Sequence, residues 1–165
     1  MIIRNAVDSD LISIVDIYNQ SIPGRTSTAD LLPVSVEQKI DWFHSHNEKR
    51  PIKVAEKDGK IIGWLSIRDF YGRPAYSGTV EISIYVSYQE HNKGVGNAML
   101  NHIIQIAPEL EIHSLVGFIF AHNLPSISLF KKYGFEEWGL LPEIAILVDE
   151  KASLMILGKK INQIM

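Results

Sequence analysis

A mixed, twisted α/β sheet flanked by helices is the fold class that the residue pattern predicts. Three observations carry it. Strand-like and helix-like periods succeed one another as strand, two helices, three strands, helix, strand, helix and further strands. Asp58-Gly59 lies between two strand-like runs, the mark of a two-residue antiparallel hairpin. The run from Val80 to Phe120 reads strand, helix, strand, a crossover of the kind that joins parallel strands.

The elements follow in order. Ile2-Ile3-Arg4 reads as a short first strand. Asp8 is the expected N-cap of a helix whose apolar stripe is Leu11, Ile14, Val15 and Tyr18. Pro23-Gly24 breaks the pattern and opens a polar loop to Pro33. Ser35-Val-Glu-Gln38 fits a capping box, with Ile40 and Phe43 expected on the buried face of the helix that follows. Ile52 to Glu56 and Lys60 to Ile67 are the hairpin strands, and Phe70 to Gly78 is a loop rich in Gly, Pro and Tyr. Val80 to Ser87 is a strand, Gly94 to Ala107 a helix ended by Pro108, and Leu115 to Phe120 an apolar strand. Pro125 to Tyr133 is a short helix with Gly134 at its C′ position. Two last strands are expected at Ile144 to Val148 and Leu154 to Gly158. With no repeat, low-complexity tract or linker, residues 1–165 read as a single domain.

Composition narrows the function classes. The 165 residues are 46% hydrophobic and carry a net charge of −3, which suits a folded core and offers no electrostatic footprint for nucleic acid. No apolar run approaches the roughly 20 residues that span a bilayer, so no membrane partner is expected. Met1-Ile-Ile-Arg4 leads into a polar stretch without a signal-peptide core, and a cytoplasmic location is the expectation. There is no cysteine, which excludes disulfides, cysteine-ligated zinc and a cysteine acyl-enzyme. His44, His46 and Glu48 do not share a helical face, so no metal is expected there.

The most telling segment is Glu81-Ile-Ser-Ile-Tyr-Val-Ser-Tyr-Gln-Glu-His-Asn-Lys-Gly-Val-Gly96, a strand, a short polar loop and a helix that opens on Gly94 and Gly96. The first N–H groups of a helix lack partners within it, and glycines let a ligand approach the backbone. Such a turn suits phosphate or pyrophosphate. The glycine spacing matches neither the dinucleotide fingerprint nor the nucleoside triphosphatase loop. His91-Asn-Lys-Gly-Val-Gly96 resembles the acyl-CoA loop of the GCN5-related N-acetyltransferases (GNAT), Arg/Gln-x-x-Gly-x-Gly/Ala, with His91 departing from the first residue. Asn123-Leu-Pro-Ser-Ile-Ser-Leu-Phe-Lys-Lys-Tyr-Gly-Phe135 resembles the second cofactor segment of that family. Ser27-Thr-Ala-Asp30, Gly72-Arg-Pro-Ala-Tyr76, Thr79-Val-Glu81 and Phe120-Ala-His-Asn123 resemble its phosphinothricin acetyltransferase-like branch.

The resemblance implies the GNAT fold, in which the strand carrying Glu81 splays from its parallel neighbour. It implies acetyl-CoA as cosubstrate, with Ile84, Tyr85 and Val86 along the acetyl-pantetheine arm. It places Asn92, Lys93, Gly94, Val95, Gly96 and Asn97 around the pyrophosphate, and Asn123 at a cofactor-binding asparagine. It also implies a homodimer.

Glu81 is the leading catalytic candidate. A carboxylate in a β-branched strand is either salt-bridged or the base of a cleft, and the resemblance matches it to the catalytic glutamate of the branch. The N–H of Val86 would polarise the thioester carbonyl, a role compatible with an ordinary core valine. Phe130 stands where related enzymes carry Tyr or His to protonate the leaving thiolate, so no general acid is assigned. His122 and Tyr133 are open between structure and chemistry. Arg73 and Tyr76, in the Gly-Arg-Pro-Ala-Tyr loop, are the substrate-binding candidates, with Arg73 to read a carboxylate and Arg25 a weaker alternative. Trp42 and Trp64 would line a pocket or fill the core. The expected reaction is direct acetyl transfer to the primary amine of a small, amino-acid-like acceptor of the phosphinothricin or methionine sulfoximine type. The alternatives are acetylation of a protein N-terminus or lysine, and an acyl-CoA sensor without turnover.

Overall fold

The computed structural model describes residues 1–162, so the last three residues of the expected domain lie outside it. Its regular elements are β1 (Ile2–Asn5), α1 (Leu11–Gln20), α2 (Val36–His44), β2 (Ile52–Lys57), β3 (Lys60–Asp69), β4 (Thr79–Val86), α3 (Val95–Ile106), β5 (Ser114–Phe120), α4 (Leu124–Lys132), β6 (Glu136–Leu147) and β7 (Glu150–Lys160). The strands form one sheet in the order β1-β2-β3-β4-β5-β7-β6. Among the described residues only the β4–β5 pair is parallel, and the crossover through α3 joins it.

Local chemistry explains most boundaries. Asp58 and Gly59 both take positive φ, 52° and 76°, and join the paired residues Lys57 and Lys60. That is the two-residue turn whose twist matches antiparallel strands. At the start of α2, Ser35 Oγ accepts the N–H of Gln38 at 3.2 Å, and Gln38 Oε1 accepts the N–H of Ser35 at 2.8 Å. Gly134 closes α4 with φ of 85°.

Two layers of helix cover the sheet. α1 and α2 bury Leu11, Ile14, Val15, Ile17 and Phe43 against Val54 and Trp64. On the other face, α3 and α4 bury Met99, Leu100, Ile103, Ile127 and Phe130 against Leu65, Ile67, Val80, Ile82, Leu115 and Leu157. The alternation of side chains along β4 divides its residues between these layers, which places Glu81, Ser83 and Tyr85 on the α1/α2 side.

Three expectations need correction. Asp8 does not cap α1; it opens a 3-10 turn over Asp8–Asp10, and α1 starts at Leu11. The side chain that matters is Asp10, 6% exposed, which accepts the Val7 N–H at 2.8 Å and the Arg4 guanidinium at 2.8 and 3.1 Å. Ile40 is 39% exposed; α2 packs on the core through Phe43, which is buried, and through Val36 and Trp42, which are half-buried. The sixth strand starts at Glu136 rather than near Ile144, and Val148 lies in the turn after it with φ of 61°. β6 is an edge strand with mostly exposed residues, so it shows little alternation, and its register breaks between Leu141 and Ala145 around Pro142 and Glu143.

Burial alone would raise the Asp10 carboxyl, but the bonds from Arg4 and the Val7 N–H outweigh it and hold it below its ordinary value. A carboxyl depressed in the folded state stabilises above its unfolded pKa, and that contribution is lost as pH falls through the lower folded value. Asp10→Asn should therefore cost about 1–3 kcal/mol at pH 7, the worth of hydrogen bonds to a charged group. Urea unfolding should show the gap to the parent chain narrowing below about pH 4. A gap equal at pH 7 and pH 3 would contradict the assignment.

Candidate active site

The parallel ladder between β4 and β5 lasts three residues. Thr79 pairs with Ser114, Val80 with Leu115 and Glu81 with Val116. Beyond Glu81, β4 stays with β3 until Val86 meets Gly63, while β5 stays with β7 until Phe120 meets Leu154. The strands therefore part and leave a wedge. Thr79 C=O accepts the N–H of Phe70, and Ser87 N–H donates to Ile62 C=O at 2.8 Å. Alternation along an antiparallel strand then points the backbone of the odd residues toward β3 and that of Ile84 and Val86 toward the wedge. The Val86 carbonyl is taken by His91, whose Nε2 lies 2.9 Å away. The unusual first residue of the loop thus has a local role: it folds the loop back on the strand end.

A cavity of about 590 Å³ occupies the wedge. Ile84, Tyr85 and Val86 form one wall, and Asn92, Gly94, Val95, Gly96 and Asn97 the end where α3 begins. Gly94 takes the N-cap position with φ of 85°, and no side chain caps the first turn. A Cβ at Gly94 would meet nothing within 4 Å, so its glycine answers to backbone conformation. A Cβ at Gly96 would stand 3.2 Å from Leu129 Cδ2, so close packing on α4 is part of that requirement. Lys93 does not line the cavity; its ammonium lies 3.9 Å from Glu90. Asn97 does, and its Oδ1 accepts from Lys132 Nζ at 2.9 Å and from the Tyr133 hydroxyl at 3.3 Å.

The loop after α1 forms another wall through Ser21, Pro23, Gly24, Thr26 and Ser27, and α4 lines the cavity through Pro125, Ser126 and Leu129. It is strapped down from three directions. Asn123, 8% exposed, accepts the Ser126 N–H that starts α4 and donates to the Thr26 carbonyl at 3.2 Å. His122 Nε2 lies 2.8 Å from the Arg25 carbonyl, and the Tyr85 hydroxyl donates to the Ser27 carbonyl at 2.9 Å. Both His122 and Tyr133 therefore have structural partners, and neither lines the cavity. Phe130 does line it, 5% exposed, with its ring in the space that a Cβ on Gly117 would fill.

A second cavity, of about 170 Å³, lies between the sheet and α1/α2. Ile14, Val15 and Tyr18 line it from α1, Lys39 and Trp42 from α2, and Trp64, Ser66, Arg68, Glu81, Ser83 and Tyr85 from the sheet. Glu81 faces Arg68 directly across the ladder, with Oε2 3.5 Å from Nη2. The carboxylate thus has both a partner and a cleft. Tyr85 belongs to both cavities and forms the wall between them. Its ring stacks on Trp64 at 4.8 Å and meets Tyr18 edge-on at 5.1 Å. Burial pushes the Tyr85 phenol up to about 12 and raises that of Tyr18, whose hydroxyl bonds Thr28 and Asp30. Both stay protonated donors at neutral pH.

Arg73 and Tyr76 line neither cavity; Tyr76 packs on Phe70 and Tyr71 instead. The arginine beside Glu81 is Arg68, which sequence reading missed although pairing the strands on either side of the 70–78 loop would have set it opposite Glu81. Lys39 and Tyr18 were missed too, as single members of helical stripes. Arg25 donates to the Leu31 carbonyl, and His44 and His46 bond Asp8 and the Trp42 carbonyl.

Residues 3–144 match the family model described as an acetyltransferase (GNAT) domain. The chain belongs to the GNAT acetyltransferase family. It has the GNAT fold. It is 47% identical over 98% of its length, and over the whole of the relative, to the Bacillus subtilis protein named "Putative phosphinothricin acetyltransferase YwnH". It is 33% identical to the L-methionine sulfoximine/L-methionine sulfone acetyltransferase of Pseudomonas paraeruginosa, over 86% of this chain and 84% of that one. A crystal structure of a GNAT superfamily phosphinothricin acetyltransferase from Sinorhizobium meliloti in complex with acetyl-CoA superposes with a TM-score of 0.91 at 28% identity, covering 98% of this chain and 88% of that one.

Asn123→Ala removes both an N-cap and a tether of the strap. It should lower stability by about 1 kcal/mol, read by urea unfolding, and speed hydrogen exchange in residues 21–34. Unchanged exchange there would show that the strap is held by other contacts.

Proposed function

We propose that this chain moves an acetyl group from acetyl-CoA to the primary amine of a small, amino-acid-like acceptor. The observation that carries the reading is the meeting of the two cavities at Tyr85, with the wedge on one side and the Glu81 carboxylate on the other. The wedge fits the donor. The first N–H groups of α3 have no side-chain cap and suit a pyrophosphate, and the backbone of Ile84 offers an edge for an amide-bearing arm. Relatives named for phosphinothricin and methionine sulfoximine, and one solved with acetyl-CoA, support the same assignment.

Glu81 takes a proton from the bound ammonium, through a water where the amine does not touch it. The free amine attacks the thioester carbonyl, forming the C–N bond. The oxyanion rests on the N–H of Val86, and collapse breaks the C–S bond to release CoA as thiolate, which takes up, directly or through water, the second proton that the nitrogen sheds on becoming an amide. The chain has no cysteine to carry an acyl intermediate, which favours direct transfer within a ternary complex. Phe130 supplies no proton, and a thiolate is a fair enough leaving group to depart without one. The acceptor cavity, at about 170 Å³, is smaller than the roughly 300–1,000 Å³ of drug-sized pockets and suits a single amino acid better than a peptide.

Glu81→Gln keeps the shape and removes the base. It should lower kcat by roughly 10²–10⁴ while acetyl-CoA affinity holds. The deficit should shrink as pH rises toward the pKa of the amine, because the acceptor then arrives deprotonated. Near-parental turnover at neutral pH would remove Glu81 from the mechanism.

A further inference from the structure

We infer that Lys39 makes the acceptor cavity selective for amines that carry two oxyanions, a carboxylate and a second acidic group such as a phosphinate, over analogues whose side chain is neutral. The inference rests on the reading of this cavity as the acceptor site.

The charged groups of the cavity are unevenly matched. Its lining holds two cations, Lys39 and Arg68, and one carboxylate, Glu81, which leaves a single net positive charge. Arg68 and Glu81 face each other across the β3–β4 ladder and are already paired. Lys39 enters from α2, and among the described residues no carboxylate lies within 4 Å of its ammonium. Instead the ammonium stands 5.5 Å from the ring centre of Tyr18 and 5.7 Å from that of Trp42. Two aromatic faces hold the cation in place without neutralising it. The nearby carboxylate of Asp30 does not line the cavity; it accepts the Tyr18 hydroxyl.

An acceptor with one ammonium and one carboxylate has no net charge. The Glu81–Arg68 pair already matches it: the ammonium goes to Glu81 and the carboxylate to Arg68. Such an acceptor leaves the Lys39 charge uncompensated in an aromatic, partly desolvated wall. An acceptor with one further oxyanion has a net charge of −1, and that group has a cation waiting on α2. Among small amino-acid-like acceptors, phosphinothricin is of the second kind, with carboxylate and phosphinate both ionised at neutral pH. Methionine sulfoximine has a neutral side chain of similar reach and is of the first kind.

Calorimetric titration of both compounds into the chain saturated with CoA tests this without requiring turnover. The parental chain should bind phosphinothricin at least ~10-fold more tightly than L-methionine sulfoximine, and the ratio should fall as salt rises. Lys39→Met keeps the aliphatic stem on the two rings and removes the charge. It should weaken phosphinothricin ~10-fold, leave methionine sulfoximine within about twofold, and so bring the two together. Lys39→Arg should keep most of the preference. The parental ratio reads the inference even if a variant folds poorly. Equal binding of the two by the parental chain, equal losses in Lys39→Met, or binding of neither would overturn it. The two readings fail separately. A chain that binds phosphinothricin preferentially yet releases no free CoA with any amine refutes acetyl transfer and supports the role of Lys39. A chain that acetylates both amines with the same KM refutes the role of Lys39 and supports acetyl transfer.

Discussion

The parallel ladder ends at Glu81 and Val116, and the candidate site depends on that ending. Up to this pair β4 is held by strands on both sides. Beyond it one edge is released, and the backbone of Ile84 and Val86 faces a wedge instead of a neighbour. Glu81 therefore sits at the vertex, fixed by two ladders, while Ile84 and the Val86 N–H beyond it face the wedge. The crossover that returns the chain to β5 is α3, so its uncapped first turn comes to the mouth of the same wedge. Two properties of a donor site, an unpaired strand edge and an uncapped helix start, thus follow from one break in the sheet.

The same geometry joins the two cavities. Side chains alternate along β4, so its even residues pack on α3 while Glu81, Ser83 and Tyr85 face α1 and α2. Tyr85 lies far enough along the strand to reach both cavities, and its hydroxyl holds the strap at Ser27. The strap is in turn tied to the start of α4 by Asn123 and His122. Elements far apart in sequence therefore close one wall with bonds that are individually modest, each on the order of 1 kcal/mol.

Legibility in the sequence followed how local the cause was. The Asp58-Gly59 turn, the Ser35/Gln38 capping box and the helix starting after Gly94 are set by residues within a few positions of one another, and each stands where its residues put it. Asp10 outranks Asp8 because of Arg4, on the neighbouring strand, and the depth of burial, neither of which periodicity reports. The first half of β6 was hidden because an exposed edge strand needs no alternation. In the site, the loop glycines and Glu81 were visible through the family resemblance, whereas Arg68 and Lys39 enter through strand register and helix packing. Arg73 looked apt as a carboxylate reader by residue type and loop position, and it lines neither cavity.

Amide hydrogen exchange followed residue by residue, with and without acetyl-CoA, tests the central claim most directly. If the broken ladder forms the donor site, the amides of Ile84, Val86 and Val95 to Asn97 should become protected when acetyl-CoA is added. Those of Ser83 and Tyr85, already turned toward β3, should change little. Protection confined to other segments, with Ile84 and Val86 exchanging as before, would contradict the account.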